Sequence, residues 1–127
     1  MKDRIFSGAS AEDFAGFAKA VIDGRHIHVS GTLGQDPETG ALPEAVDAQL
    51  ENALASVEKT LAEAGFAMAE VKQARVFITD AAYLKDVAMV LGRTFGDIRP
   101  TNTLLVCQIP TPGAKVEIEI SAAHPAG

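Results

Sequence analysis

Six apolar side chains, Val46, Leu50, Ala53, Leu54, Val57 and Leu61, recur at steps of three and four residues. That spacing lays them along one stripe of a helix, and the stripe must be buried against something. Pro43 opens this helix, and Gly65 closes it where a left-handed residue ends helices. A second helix is predicted from about Ala82 to Phe95, with Tyr83, Val87, Val90, Leu91 and Phe95 on its covering side. Burial of each larger side chain contributes roughly 1.5–3 kcal/mol before chain entropy is set against it.

The segments around the helices have the two-residue period of strands. Arg4-Ile5-Phe6 could form a short one. Ser10, with Glu12 and Asp13 behind it, reads as a capped helix start, and helix propensity would continue to Ile22. However, Phe17, Lys19 and Val21 also alternate with Ala18, Ala20 and Ile22, and Asp23-Gly24 is a hairpin turn that needs a strand on each side. Residues 17–22 are therefore read as a strand. In the next strand Ile27 and Val29 face one way, while His26, His28 and Ser30 face the other. Residues 31–43 are loop, and Val71 to Ile78 is a further strand.

The C-terminal third reads as two strands joined by a tight turn at Pro112-Gly113. Leu104, Leu105, Val106 and Ile109 form the first, and Val116, Ile118 and Ile120 alternate with Glu117 and Glu119 in the second. Two helices connecting strands of one sheet, each with one face to bury, belong on the same side of it. The other side is then left bare, which predicts self-association.

Composition narrows the function. The 127 residues, 47% hydrophobic and 22% charged, fit one soluble domain spanning 1–127. A net charge of −6 argues against phosphate-backbone binding, which needs a basic footprint, and the chain has no Trp and only one Tyr and 6 Phe for base stacking. No apolar run has the length of a membrane span. Met1-Lys2-Asp3-Arg4 leads into no signal-peptide core, and a single cysteine suits a reducing compartment, so the expected location is cytoplasmic.

Few residues carry chemistry. Glu117 shares a strand face with Glu119 and Ser121. On a solvated face these are ordinary carboxylates; in a cleft, burial and the second acid would raise the pKa of Glu117 and suit it to handling a proton. His26 and His28 point the same way and could supply two metal ligands, but no third is apparent, which favours packing or subunit contacts. Cys107 lies in an apolar strand with no neighbouring histidine and reads as a buried structural thiol. Gly31, Gly34 and Gly40 are turn glycines without the order of a phosphate loop.

The order of elements, the Val29-Ser30-Gly31 strand exit and the Asp36-Pro37-Glu38-Thr39-Gly40 loop resemble the RidA/YjgF family of reactive-intermediate deaminases. Arg75-Val76-Phe77-Ile78-Thr79-Asp80 and the Val116-Glu117-Ile118-Glu119 finish extend the resemblance over residues 15 to 123. It implies a chorismate-mutase-like α+β fold: a mixed sheet with two helices on one face, assembled as a homotrimer around a central barrel. It also implies small-molecule clefts between subunits, where enamines or imines such as 2-aminoacrylate are hydrolysed to 2-keto acids and ammonia without metal or organic cofactor.

Carried over by residue, the resemblance makes Glu117 the catalytic acid and Gly31 a point of close backbone approach to ligand. Phe17 stands where a cleft tyrosine is common, and Ala88 near a common asparagine. The family's carboxylate-binding arginine falls on Asn102 in Pro100-Thr101-Asn102-Thr103, or on Thr101 if Pro110 anchors the alignment. Neither is cationic. Asn102 could hydrogen-bond an uncharged ligand or cap the turn after Pro100. The implied substrate is thus an enamine or imine other than 2-aminoacrylate, with a non-catalytic ligand-binding or regulatory trimer as the alternative. Arg93 and Arg99 are the nearest substitute cations in sequence.

Overall fold

The computed structural model describes residues 2–126. Six strands, β1 (Arg4–Ile5), β2 (Ala20–Asp23), β3 (His26–Thr32), β4 (Val71–Ile78), β5 (Thr101–Val106) and β6 (Val116–Ala123), form one mixed sheet in the order β1-β2-β3-β6-β4-β5. Three helices accompany it: α1 (Ser10–Ala15), α2 (Val46–Glu63) and α3 (Leu84–Phe95). The α2 stripe is buried as its spacing predicts, together with Val87, Val90 and Phe95 of α3. They form one core with Ile27, Val29, Val76, Ile78, Val116, Ile118 and Ile120 of the sheet. The alternate residues of the same strands, including Arg75, Phe77, Glu117 and Glu119, are exposed or half-buried. The sheet therefore has a dressed face and an open one.

Several helix boundaries differ from those the sequence suggests. Helix α2 starts at Val46 rather than Pro43, whose carbonyl accepts from Gln49 Nε2 at 2.7 Å instead of from a helical amide. Its end follows expectation: Gly65 has φ +81°, and the N–H groups of Gly65 and Phe66 close onto Ala62 and Leu61. Helix α3 starts at Leu84 after a 3-10 turn, Ala81–Tyr83, set by the Asp80 side chain accepting from the Ala82 N–H. Ser10 does not cap α1; Ala9 holds that position, and Gly16 at φ +77° ends the helix after six residues. The strand expected over residues 17–22 begins at Ala20.

The largest correction concerns the C-terminal pair. β5 and β6 are not a hairpin, because β4 lies between them: β5 pairs with β4 in parallel, and β6 pairs antiparallel with both β4 and β3. A parallel pair needs a crossover, which α3 provides here. The central position falls to β6 because its alternate residues Val116, Ile118, Ile120 and Ala122 are all buried, whereas β5 opens with exposed Thr101, Asn102 and Thr103 and suits an edge. Cys107, just past β5, is accordingly exposed rather than buried. Leu105 and Val106 are also exposed.

Gln49 is the main polar tie of the core. Its side chain is fully buried, donates to Pro43 O and Gly113 O, and accepts the Lys115 N–H at 2.9 Å. One amide thus satisfies backbone groups in the loops before α2 and before β6.

Candidate functional site

The site begins with a slip in strand register. Val29 lies opposite Ile120 and Thr32 opposite Ile118, so Ser30 and Gly31 together face the single residue Glu119. This is a β-bulge, which bends the strand and re-aims its side chains. The next acid along β6, Glu117, lays its carboxyl directly over Gly31. A Cβ built on Gly31 would come within 2.9 Å of both Glu117 Cδ and Oε2. Gly31 was expected to allow close approach of a ligand; what lies against it here is the acid itself.

Around these two residues lies a pocket of about 390 Å³. Phe17, Lys19, Thr32 and Thr111 contribute to its walls together with Glu12. Burial raises the Glu117 pKa above the usual carboxylate range; Glu119 adds to that shift and Lys19 opposes it. Lys19 is the one cation among the described residues lining the pocket. Its Nζ donates to Thr32 Oγ1 at 2.6 Å, and Thr32 Oγ1 in turn donates to Ser30 O. Burial lowers the Lys19 pKa, while Glu12 and Glu117 hold it up. Glu12 is itself buried, accepting from Ser7 Oγ at 2.6 Å and from the Ser7 and Gly8 N–H groups. The Ser7 hydroxyl bond leads in lowering its pKa.

Of the residues singled out from sequence, Glu117, Gly31 and Phe17 meet in this pocket. Thr101, Asn102 and Thr103 stand apart on edge strand β5, and Asn102 lies with Arg99 and Pro100 beside α3. Arg99 donates from Nε to Gly96 O, and neither it nor Arg93 lines the Glu117 pocket. On the open face, Glu119 meets Arg75 at 3.6 Å. His28 Nδ1 lies 3.2 Å from Ser121 Oγ. No group of three metal-ligating side chains occurs among the described residues. Lys19, Glu12 and Thr32 were not singled out. The only sequence signal for Lys19 is a lone cation inside the apolar run Phe17-Ala18-Lys19-Ala20-Val21-Ile22.

The geometry makes a specific prediction for Gly31→Ala. The added methyl meets only the end of a flexible side chain. Stability should change by less than about 1 kcal/mol, while the Glu117 carboxyl is displaced. Any activity that depends on that carboxyl should fall at least tenfold at nearly unchanged melting temperature. Wild-type activity in this variant would show that the carboxyl's position over Gly31 is immaterial.

Residues 8–124 match the family model described as endoribonuclease L-PSP. Among curated proteins, the chain is 32% identical over 123 residues to a 2-iminobutanoate/2-iminopropanoate deaminase of Capra hircus, covering 95% of this chain and 90% of the relative. It is 31% identical over 109 residues to a RutC family protein of Aquifex aeolicus, covering 84% of this chain and 86% of that one. Among solved structures, a YjgF/YER057c/UK114 family member from Mycobacterium tuberculosis superposes with a TM-score of 0.86 at 32% identity, covering 95% of this chain and 98% of that one.

Proposed function

The chain belongs to the endoribonuclease L-PSP family, that of RidA and YjgF, and on that premise we propose that it hydrolyses a small imine or enamine to a carbonyl compound and ammonia. The observation that carries this reading is the half-buried Glu117 carboxyl, held over a residue without a side chain, in a pocket large enough for a small metabolite. Its raised pKa suits a group that must both accept and return a proton. Water held by the Glu117 carboxylate attacks the carbon of a protonated imine and gives up a proton to the carboxylate as the C–O bond forms. The carboxyl returns that proton to nitrogen; the C–N bond then breaks and ammonia leaves, while the hydroxyl gives its remaining proton to the Glu117 carboxylate and its oxygen becomes the carbonyl.

The named activity of the goat relative supports this choice of substrate class. The net charge of −6 and the two acids in the pocket weigh against a polyanionic RNA substrate, whatever the family model's description. We also propose that the open sheet face is buried in a homotrimer, which would bring β5 of one subunit toward the Glu117 pocket of the next. A second reading, a ligand-binding trimer without turnover, is favoured by the neutral residues Thr101 and Asn102 on β5.

The test is to generate 2-iminobutanoate in place from threonine with a dehydratase and follow its loss. Micromolar protein should accelerate hydrolysis above the spontaneous rate, and light scattering should give the mass of three chains. No acceleration would remove the hydrolase reading for this substrate, and a monomer would remove the shared cleft.

A further inference from the structure

We propose that Lys19 is the anchor for a substrate carboxylate, so that this site selects small anionic 2-imino acids through a cation on its own pocket wall. The inference rests on the hydrolase reading for its substrate class. An ammonium has three N–H donors, and Lys19 gives one to Thr32 Oγ1. No carboxylate lies within salt-bridge distance of Lys19 among the described residues. Two acids act on Lys19 through their charge: Glu12, whose oxygens are occupied by Ser7 and Gly8, and Glu117, which lies over Gly31 and makes no salt bridge to it. A largely buried cation with donor capacity left over, opening on a cavity, is completed by an anionic ligand.

The position is also chemically apt. Lys19 and Glu117 line the same pocket, and the acid lies over Gly31 of the bulge. A 2-imino acid carries its carboxylate on the very carbon that water attacks. A cation and a water-positioning acid in one pocket can therefore bind adjacent groups of one small molecule. The tie from Lys19 through Thr32 to Ser30 O fixes the ammonium, so less side-chain freedom is lost when a ligand arrives. The burial that depresses the Lys19 pKa is the same burial that strengthens its bond to a carboxylate. On this view Thr101 and Asn102 need not be cationic for the site to hold an acid.

The experiment compares wild type, Lys19→Met, Lys19→Arg and Glu117→Gln. Binding of 2-oxobutanoate is measured by calorimetry, and steady-state hydrolysis is measured with 2-iminobutanoate and with its uncharged carboxamide. Lys19→Met removes the charge while keeping the length of the side chain, and a melting curve verifies that it folds. It should weaken 2-oxobutanoate binding and raise KM for the acid at least tenfold, with a much smaller change for the amide. Lys19→Arg should restore most of the binding, and Glu117→Gln, which removes a negative charge beside the anchor, should bind 2-oxobutanoate at least as tightly as wild type. Wild-type protein that does not bind 2-oxobutanoate, or a folded Lys19→Met variant that binds it undiminished, overturns the anchor. Lys19-dependent binding without turnover by wild type upholds the anchor and rejects the hydrolase reading, so the two failures are told apart.

Discussion

Gly34→Ala is expected to be the most damaging single-methyl addition in the fold, lowering stability by about 3 kcal/mol, the upper end of overpacking costs. A Cβ at this position would lie 1.9 Å from the backbone carbonyl oxygen of Gln49. No rotamer relieves that contact, since the obstacle is the main chain of α2. The loop would have to move away, and two ties would move with it: Asn52 Nδ2 donates to Gly34 O at 3.1 Å, and Gln49 anchors both Pro43 and Gly113. For a chain of this size such a loss lowers the melting temperature by roughly 10 °C. Thermal unfolding of the variant checks it, and a shift within two degrees of wild type would show that the loop yields freely. The same substitution at Gly31 should leave the fold alone and disturb the site, because its obstacle is a flexible carboxyl.

Glu117→Gln should separate stability from activity in the opposite sense. If Glu117 moves the proton, hydrolysis of 2-iminobutanoate should fall 100-fold or more, in line with the loss of a general acid–base. The fold should nevertheless become more stable at neutral pH. Burial raises the pKa of this carboxyl, so the folded state favours its protonated form. Its contribution to stability is full below the ordinary carboxylate pKa and is lost as pH rises through the elevated value. A glutamine keeps the shape of the protonated acid and titrates nowhere. Melting temperatures of the two proteins should converge at acid pH and separate as pH rises past the ordinary carboxylate range, with the glutamine variant the higher. Glu12 has the opposite sign: its lowered pKa contributes stability above the ordinary value, lost as pH falls through the depressed one, in both proteins. Equal melting temperatures at neutral pH would remove the account of a strained acid, and retained activity would remove its catalytic role.

Much of this was legible in the sequence because it is local. The α2 stripe, the Gly65 stop and the alternation of β6 each follow from side-chain period and backbone preference, and they place Glu117 on the open face without any knowledge of the fold. Gly31 was expected to approach a ligand, whereas the group packed on it is the Glu117 side chain, a contact that only the pairing of β3 with β6 creates. The remainder depends on strand partners that are distant in the chain. Nothing local in Leu104, Leu105 and Val106 says that they pair with β4 and lie at an edge, so a nearby proline–glycine turn misleadingly suggests a hairpin. The bulge at Ser30-Gly31 exists only relative to β6. Lys19 was obscured twice: its segment fits two secondary structures, and its partner Thr32 lies across the Asp23-Gly24 turn.

The strand order has a consequence for how such a pocket can change over generations. Glu117 rides on β6, flanked on both sides by other strands and rooted in the core by Val116 and Ile118, where almost any substitution is costly. Lys19 and Phe17 come from the short segment leading into β2 near the rim, and Thr111 from a loop. On the proposed reading the reacting group is thus fixed to the most constrained part of the architecture, while ligand recognition is drawn from parts that are cheaper to rewrite. If Glu117 does the chemistry, such a pocket can exchange one ligand for another at its rim without disturbing the strand that carries the acid.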